Sequence, residues 1–248
     1  MAILANSMPA INIPENELEM WGERWLSNTN QETGNAKNES AFDRQQSVNF
    51  ASFIDRAFAN ALATMLGGIP VVSPNRTTLL PPMADCVEVG AIRIIGGIRP
   101  QNFDAAYRPD GPRVVLDSKT LNDGDSVRKN WQNMINDLAT EAATVHTRFP
   151  YAVVCFVVVI PKPALGNRQE ADIIRTLERL GTRKDVLDQD HLAEAIALVV
   201  WVPETGNIDA DIPPQSSNLR IEGFAETIYP RYMERYKGLP PHNTSEEE

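Results

Sequence analysis

Residues 102–121 read Asn-Phe-Asp-Ala-Ala-Tyr-Arg-Pro-Asp-Gly-Pro-Arg-Val-Val-Leu-Asp-Ser-Lys-Thr-Leu. Two extended runs, 103–107 and 113–119, flank Pro109-Asp110-Gly111. Proline presets its φ and glycine accepts a positive one, so the stretch predicts a β-hairpin with antiparallel strands. A turn centred near Asp110 puts Tyr107 opposite Arg113 and brings Asp104 opposite either Leu116 or Asp117, the register being open. Side chains alternate along a strand, so Asp117 and Lys119 share one face while Leu116 and Ser118 take the other. The hairpin therefore gathers two carboxylates and a lysine at its edge.

Two neighbouring carboxylates raise each other's pKa unless a cation lies between them, and hard oxygen ligands of this kind suit Mg²⁺. Such an ion would stabilise charge building on a phosphate and activate a water, with the ammonium of Lys119 beside it. The chemistry predicted is phosphodiester hydrolysis.

Asp104, twelve intervening residues and then Asp117-Ser118-Lys119 at the end of an apolar strand resemble the motif of the PD-(D/E)XK nucleases, which include most type II restriction endonucleases. Phe103 stands where proline is common, and Asp117 replaces the commoner glutamate. The literal Pro109-Asp110 lies in the turn, and Asp110 is rejected as a ligand. The resemblance covers residues 86–161 and extends to the order of elements: a strand, the hairpin, a helix at 126–148 and a buried strand at 151–160. It implies an α/β fold with a restriction-endonuclease-like core, a mixed sheet of about five strands flanked by helices, and a helical N-terminal arm. Asp104 and Asp117 would bind Mg²⁺, with Mn²⁺ able to substitute. The Ser118 backbone carbonyl would be a further ligand, and Lys119 would position or activate the nucleophile. A further acidic ligand would come from Glu88 on the first strand or Asp55 on an upstream helix, although a solvated helix carboxylate is the ordinary reading of Asp55. Arg128, Lys129 and Gln132, off the apolar stripe of the following helix, are candidates for DNA phosphate contact or simply a solvated face.

The implied function is Mg²⁺-dependent, sequence-specific cleavage of double-stranded DNA by a type II restriction endonuclease. Cutting both strands calls for two sites, hence a homodimer. Two alternatives stay open: a repair or antiphage effector nuclease of the same fold that needs no palindrome, and a noncatalytic binding module.

Composition narrows the choice less. The chain has 248 residues, 42% of them hydrophobic, enough for a large core. No apolar run reaches about 18 residues and no secretory leader is evident, so a cytoplasmic protein without a membrane span is expected. Cys86 and Cys155 are too few for a disulfide framework and read as buried thiols. A net charge of −10 argues against a surface that attracts nucleic acid everywhere, though several acids cluster away from the motif, including Glu15, Glu17, Glu19 and Glu246 to Glu248.

Along the chain, residues 1–46 read as the arm, 47–237 as the nuclease domain and 238–248 as a disordered acidic tail. Ser47 is placed to cap a helix over 47–66 with Phe50, Ile54, Phe58, Leu62 and Met65 on its apolar face. Further helices are predicted at 167–180, 190–197 and 222–236, and strands at 86–98 and 198–202. Arg175, Arg179, Arg183 and Lys184 make the most basic surface run of the second half, interleaved with acids. His146 and His191 read as surface or capping residues. There is no Walker-type phosphate loop and no nucleophile-elbow serine.

Overall fold

The computed structural model describes residues 4–27 and 41–242. Its centre is β5 (Val153–Pro161), buried at all nine positions, as an apolar run bounded by prolines predicts for a strand covered on both faces. Outward on one side lie β4 (Val114–Thr120), β3 (Pro100–Tyr107), β2 (Val87–Ile95) and β1 (Val71–Val72). On the other lie β6 (Ala195–Val202) and β7 (Asn207–Ile208), in the spatial order β1-β2-β3-β4-β5-β6-β7. The β4–β5 and β5–β6 pairs are parallel, β2–β3, β3–β4 and β6–β7 antiparallel, and β1–β2 parallel. The fold is thus α/β with a mixed sheet. Seven strands replace the expected five because β1 and β7, at the two edges, are two residues long, too short to leave a periodic signal.

The described helices are α1 (Glu15–Ser27), α2 (Arg44–Met65), α3 (Gly124–His146), α4 (Asn167–Leu180) and α5 (Phe224–Tyr236). Alternation along the strands divides the core. Val114, Leu116, Cys155 and Val157 pack with Ile54 and Phe58 of α2 and with Ile228 and Tyr232 of α5. Val115, Phe156 and Val158 pack with Leu138 and Ala142 of α3 and Ile173 and Leu177 of α4. Helix α2 starts three residues earlier than the sequence suggested. Asp43, not Ser47, caps it by accepting from Gln46 N at 2.7 Å, and Gln46 Oε1 accepts in turn from Asp43 N, completing a capping box. Helix α3 begins at a second acidic cap, Asp123, which accepts from Ser126 N.

Three expectations are corrected. No helix forms over 190–197, where the chain enters β6 at Ala195; a short apolar run does not distinguish strand from helix by periodicity. His146 is no surface residue. It is buried against Glu194, which also binds Arg183, Arg235 and the Val154 amide. Arg183 accordingly leaves the basic surface run for the interior.

The arm is packed onto the body where it is described. Leu18 and Trp25 are buried, and Trp25 Nε1 donates to Asn122 O at 2.6 Å. The tail expected to be disordered from 238 is held as far as His242, whose ring is buried and bonded to the Tyr232 hydroxyl, while Arg113 binds Pro240 O. Residues 243–248 lie outside the described part. Both cysteines are free and buried. Among the described residues no helix is long and apolar enough to cross a membrane.

Candidate active site

The hairpin forms, with Tyr107 opposite Val114 rather than Arg113. The Arg113 amide instead closes the turn onto Tyr107 O at 2.9 Å. Asp110 is taken by the Arg113 guanidinium through two bonds of 2.8 and 2.7 Å, which agrees with its rejection as a ligand. Pairing between β3 and β4 covers only Ala105–Leu116, Ala106–Val115 and Tyr107–Val114. The same register carried one step further sets Asp104 across from Asp117, just where the ladder stops.

Asp104 is aimed by its other neighbour. Val89 pairs with Ala105 and Ile92 with Phe103, so two residues of β2, Gly90 and Ala91, stand opposite Asp104 alone. This is a β-bulge, and it depends on Gly90, whose φ of 126° lies in the region that favours glycine. Phe103 and Ala105, two apart in β3, consequently belong to opposite faces of the core, and Asp104 is turned along the sheet toward β4. There the Ser118 amide, past the end of the ladder, donates to Asp104 Oδ2 at 2.9 Å, with the Ser118 hydroxyl at 3.4 Å. Ser118 therefore orients Asp104 through its amide and hydroxyl.

Asp117 is buried where β4 emerges from the core, and Lys119, two residues on, is partly exposed. The Lys119 ammonium pairs with Asp117 Oδ2 and lies 2.9 Å from Oε1 of Glu141 on α3. Gln101 Nε2 holds the same Glu141 oxygen at 3.0 Å. Glu141 was missed in the sequence. Its signal was present: at three residues from Leu138 and four from Val145, it is an acid on the buried face of α3.

The structure separates the two candidates for an upstream acid. Glu88 is fully buried but consumed by Arg108, with Nε and Nη2 at 2.5 and 2.8 Å from its two oxygens. Asp55 is buried on α2 and faces Asp104, Asp117 and the Ser118 side chain, and its Oδ1 has no hydrogen-bond partner. Asp55 reaches the cluster from the α2 side of the sheet and Glu141 from the α3 side, meeting where β3 and β4 part. Arg128, Lys129 and Gln132 are exposed, and the first two pair with Asp125 in the opening turn of α3.

Burial dominates the electrostatics. It pushes Asp55 up to about 8, helped by the charge of Asp104, with the Ser118 hydroxyl opposing. Burial and then Asp117 raise Asp104 to about 7. Asp117 rises to about 7 through burial, against the pull of Lys119. Glu141 is also raised by burial, against Lys119. For Lys119, burial is outweighed by Asp117 and Glu141, which hold it firmly protonated. Asp117 is electrostatically coupled to both Asp104 and Glu141, each of which disfavours charge on its neighbour.

Among the described residues, no three His, Cys, Asp or Glu side chains form a ready-made metal cage. The donor set nevertheless fits a hard cation. Its groups are carboxylates, they are crowded enough to retain protons, and Asp55 offers a buried oxygen with no partner. Asp55, Asp104 and Asp117 would hold such an ion, with Glu141 adjoining. A divalent cation held there would replace protons on these carboxylates and have the Lys119 ammonium beside it. In comparisons with known proteins, no family model, curated protein or solved structure matched the chain.

Proposed function

We propose that this chain is a metal-dependent endodeoxyribonuclease with a core resembling the PD-(D/E)XK nucleases, acting on double-stranded DNA in the manner of a type II restriction endonuclease. The observation that carries the reading is the convergence of Asp55, Asp104, Asp117, Glu141 and Lys119 at the point where β3 and β4 part. That convergence joins two helices and two strands distant in sequence, on a sheet whose β4–α3–β5 crossover has the expected order.

A bound Mg²⁺ would supply stabilisation of charge on the scissile phosphate and a more acidic water. The protein's own groups do the rest. Ser118 fixes the rotamer of Asp104, and the bulge at Gly90 fixes its direction. Lys119 keeps its proton and therefore serves as a donor that orients the attacking water or neutralises the phosphoryl oxygens, rather than as a general base. Glu141 and Gln101 fix the ammonium's position. Cutting both strands calls for a homodimer.

The test is incubation of the purified protein with plasmid and phage DNA in Mg²⁺ or EDTA, beside Asp117→Ala and Lys119→Ala. Discrete Mg²⁺-dependent fragments lost in both variants are expected. Smears in place of fragments would move the reading to a nuclease without a palindromic site. Intact DNA under all conditions would leave a noncatalytic module.

A further inference from the structure

A cleft of about 630 Å³ opens between the 73–79 loop and β2, and its wall includes Gly90 and Ala91, the residues of the bulge that faces Asp104. Its charged side chains are Arg76 and Arg93, both exposed and neither with a carboxylate partner among the described residues. Asn75, Thr77 and Asn102 add polar groups, and no acid lines it. In a chain of net charge −10 an acid-free cleft whose two guanidinium groups pair with no carboxylate among the described residues is a local reversal of sign. Asn102 lies two residues before Asp104 in β3, and the bulge residues Gly90 and Ala91 that stand across from Asp104 form part of the cleft wall.

We propose that this cleft binds the sugar-phosphate backbone of DNA through Arg76 and Arg93 and leads one strand to the carboxylates; this rests on the nuclease reading above. Guanidinium groups suit the task because their planar forks match phosphate oxygens bidentately. A cationic approach ending at an acidic cluster also separates two jobs: the arginines attract the polyanion, and the carboxylates hold the cation that receives the scissile group. Confined to one cleft, this attraction reconciles DNA binding with an acidic protein.

The experiment measures fluorescence anisotropy of a labelled mixed-sequence duplex against salt, in EDTA and in Ca²⁺, for the wild type, Arg76→Ala, Arg93→Ala and the double variant. Arg76→Lys/Arg93→Lys and the distant exposed Arg179→Ala serve as comparisons. Each alanine should lower the slope of log affinity against log salt by about one, as expected for loss of one phosphate contact. The lysine pair should keep most of the slope, and Arg179→Ala all of it. An unchanged slope in the double variant, or a wild type that does not bind duplex in either condition, overturns the proposal. Mg²⁺-dependent cleavage is scored in parallel. Cutting with an unchanged slope rejects the cleft and spares the nuclease reading. A lowered slope without cutting supports the cleft as a DNA surface and rejects the nuclease reading.

Discussion

Asp55 shows what a buried acid costs and what it offers. In water its carboxyl would titrate near 4, but burial and the neighbouring Asp104 lift it to about 8, and Asp104 and Asp117 rise to about 7. Between those limits the folded protein binds protons that the unfolded chain does not. The stability this supplies is complete below pH 4 and is lost as pH rises through 7 to 8. Thermal melts in EDTA should therefore show Tm falling from pH 5.5 to pH 8.5. Added Mg²⁺ should reverse much of the fall at the alkaline end, because an ion that binds only the folded state stabilises it and competes with the same protons. A flat Tm across that range in EDTA would sink this account. Asp55→Asn separates the two effects. Removing the buried charge should raise the EDTA Tm at pH 8.5, by roughly 2–4 °C per kcal/mol recovered, while reducing the Mg²⁺-induced rise and the cleavage activity. Only part of this was legible beforehand. Asp104, Asp117 and Lys119 stood out because they flank a turn, and Asp55 stood beside Glu88 as an alternative that the sequence did not decide, whereas Glu141, on a helix more than twenty residues beyond Asp117, was missed. The place of Glu141 on the apolar face of α3 marks it for burial, but local sequence does not tell which strand end it will meet.

At the scale of elements, α3, α4 and the central strand were readable because long apolar periodicity and proline boundaries survive tertiary context. Helix α4, at Asn167–Leu180, fell where the spacing put it. The two-residue edge strands and the 190–197 segment were not readable, the latter because a short apolar run does not separate strand from helix and Glu194 is an interior acid held by Arg183, Arg235 and His146. The bulge in β2 was equally hidden: Gly90 in a strand is a weak signal, and only pairing with β3 shows that it aims Asp104. Gly90→Ala tests that role. A Cβ there would stand 3.2 Å from Pro74 Cδ on a backbone at φ 126°, a strain of about 1–3 kcal/mol. The expected result is a lower Tm together with a loss of cleavage greater than the unfolded fraction explains, measured at a temperature where the variant is still folded. Full specific activity in a folded Gly90→Ala protein would show that the proposed cleavage does not depend on the bulge's aiming of Asp104.

For the whole molecule, the C-terminal segment closes the side of the sheet occupied by α2 and α5. After α5, Gly238 takes a φ of 80° and turns the chain back. The His242 ring then fills a pocket between Tyr107 and Tyr232, with ring centres 6.2 and 5.6 Å away, and bonds the Tyr232 hydroxyl. Arg113 is fully buried beside it, shared between Asp110 and Pro240 O and stacked on Tyr236 at 4.8 Å. Both strands of the hairpin that carries Asp104 and Asp117 are thus tied to the tail, through Tyr107 on β3 and through Arg113 just ahead of β4. Cutting the chain after Lys237 would uncover the Tyr107 and Tyr232 rings and take one acceptor from a buried guanidinium. Losses of that kind amount to about 1–3 kcal/mol for the hydrogen bonding alone, or several degrees in Tm for a chain of this size. Cutting after His242 keeps every one of these contacts. Parallel thermal melts of the two truncations should therefore differ by several degrees, the shorter chain melting lower and the longer one near the full-length protein. Equal melting of the two would mean that the segment 238–242 adds nothing to the fold and that the hairpin is rigid without it.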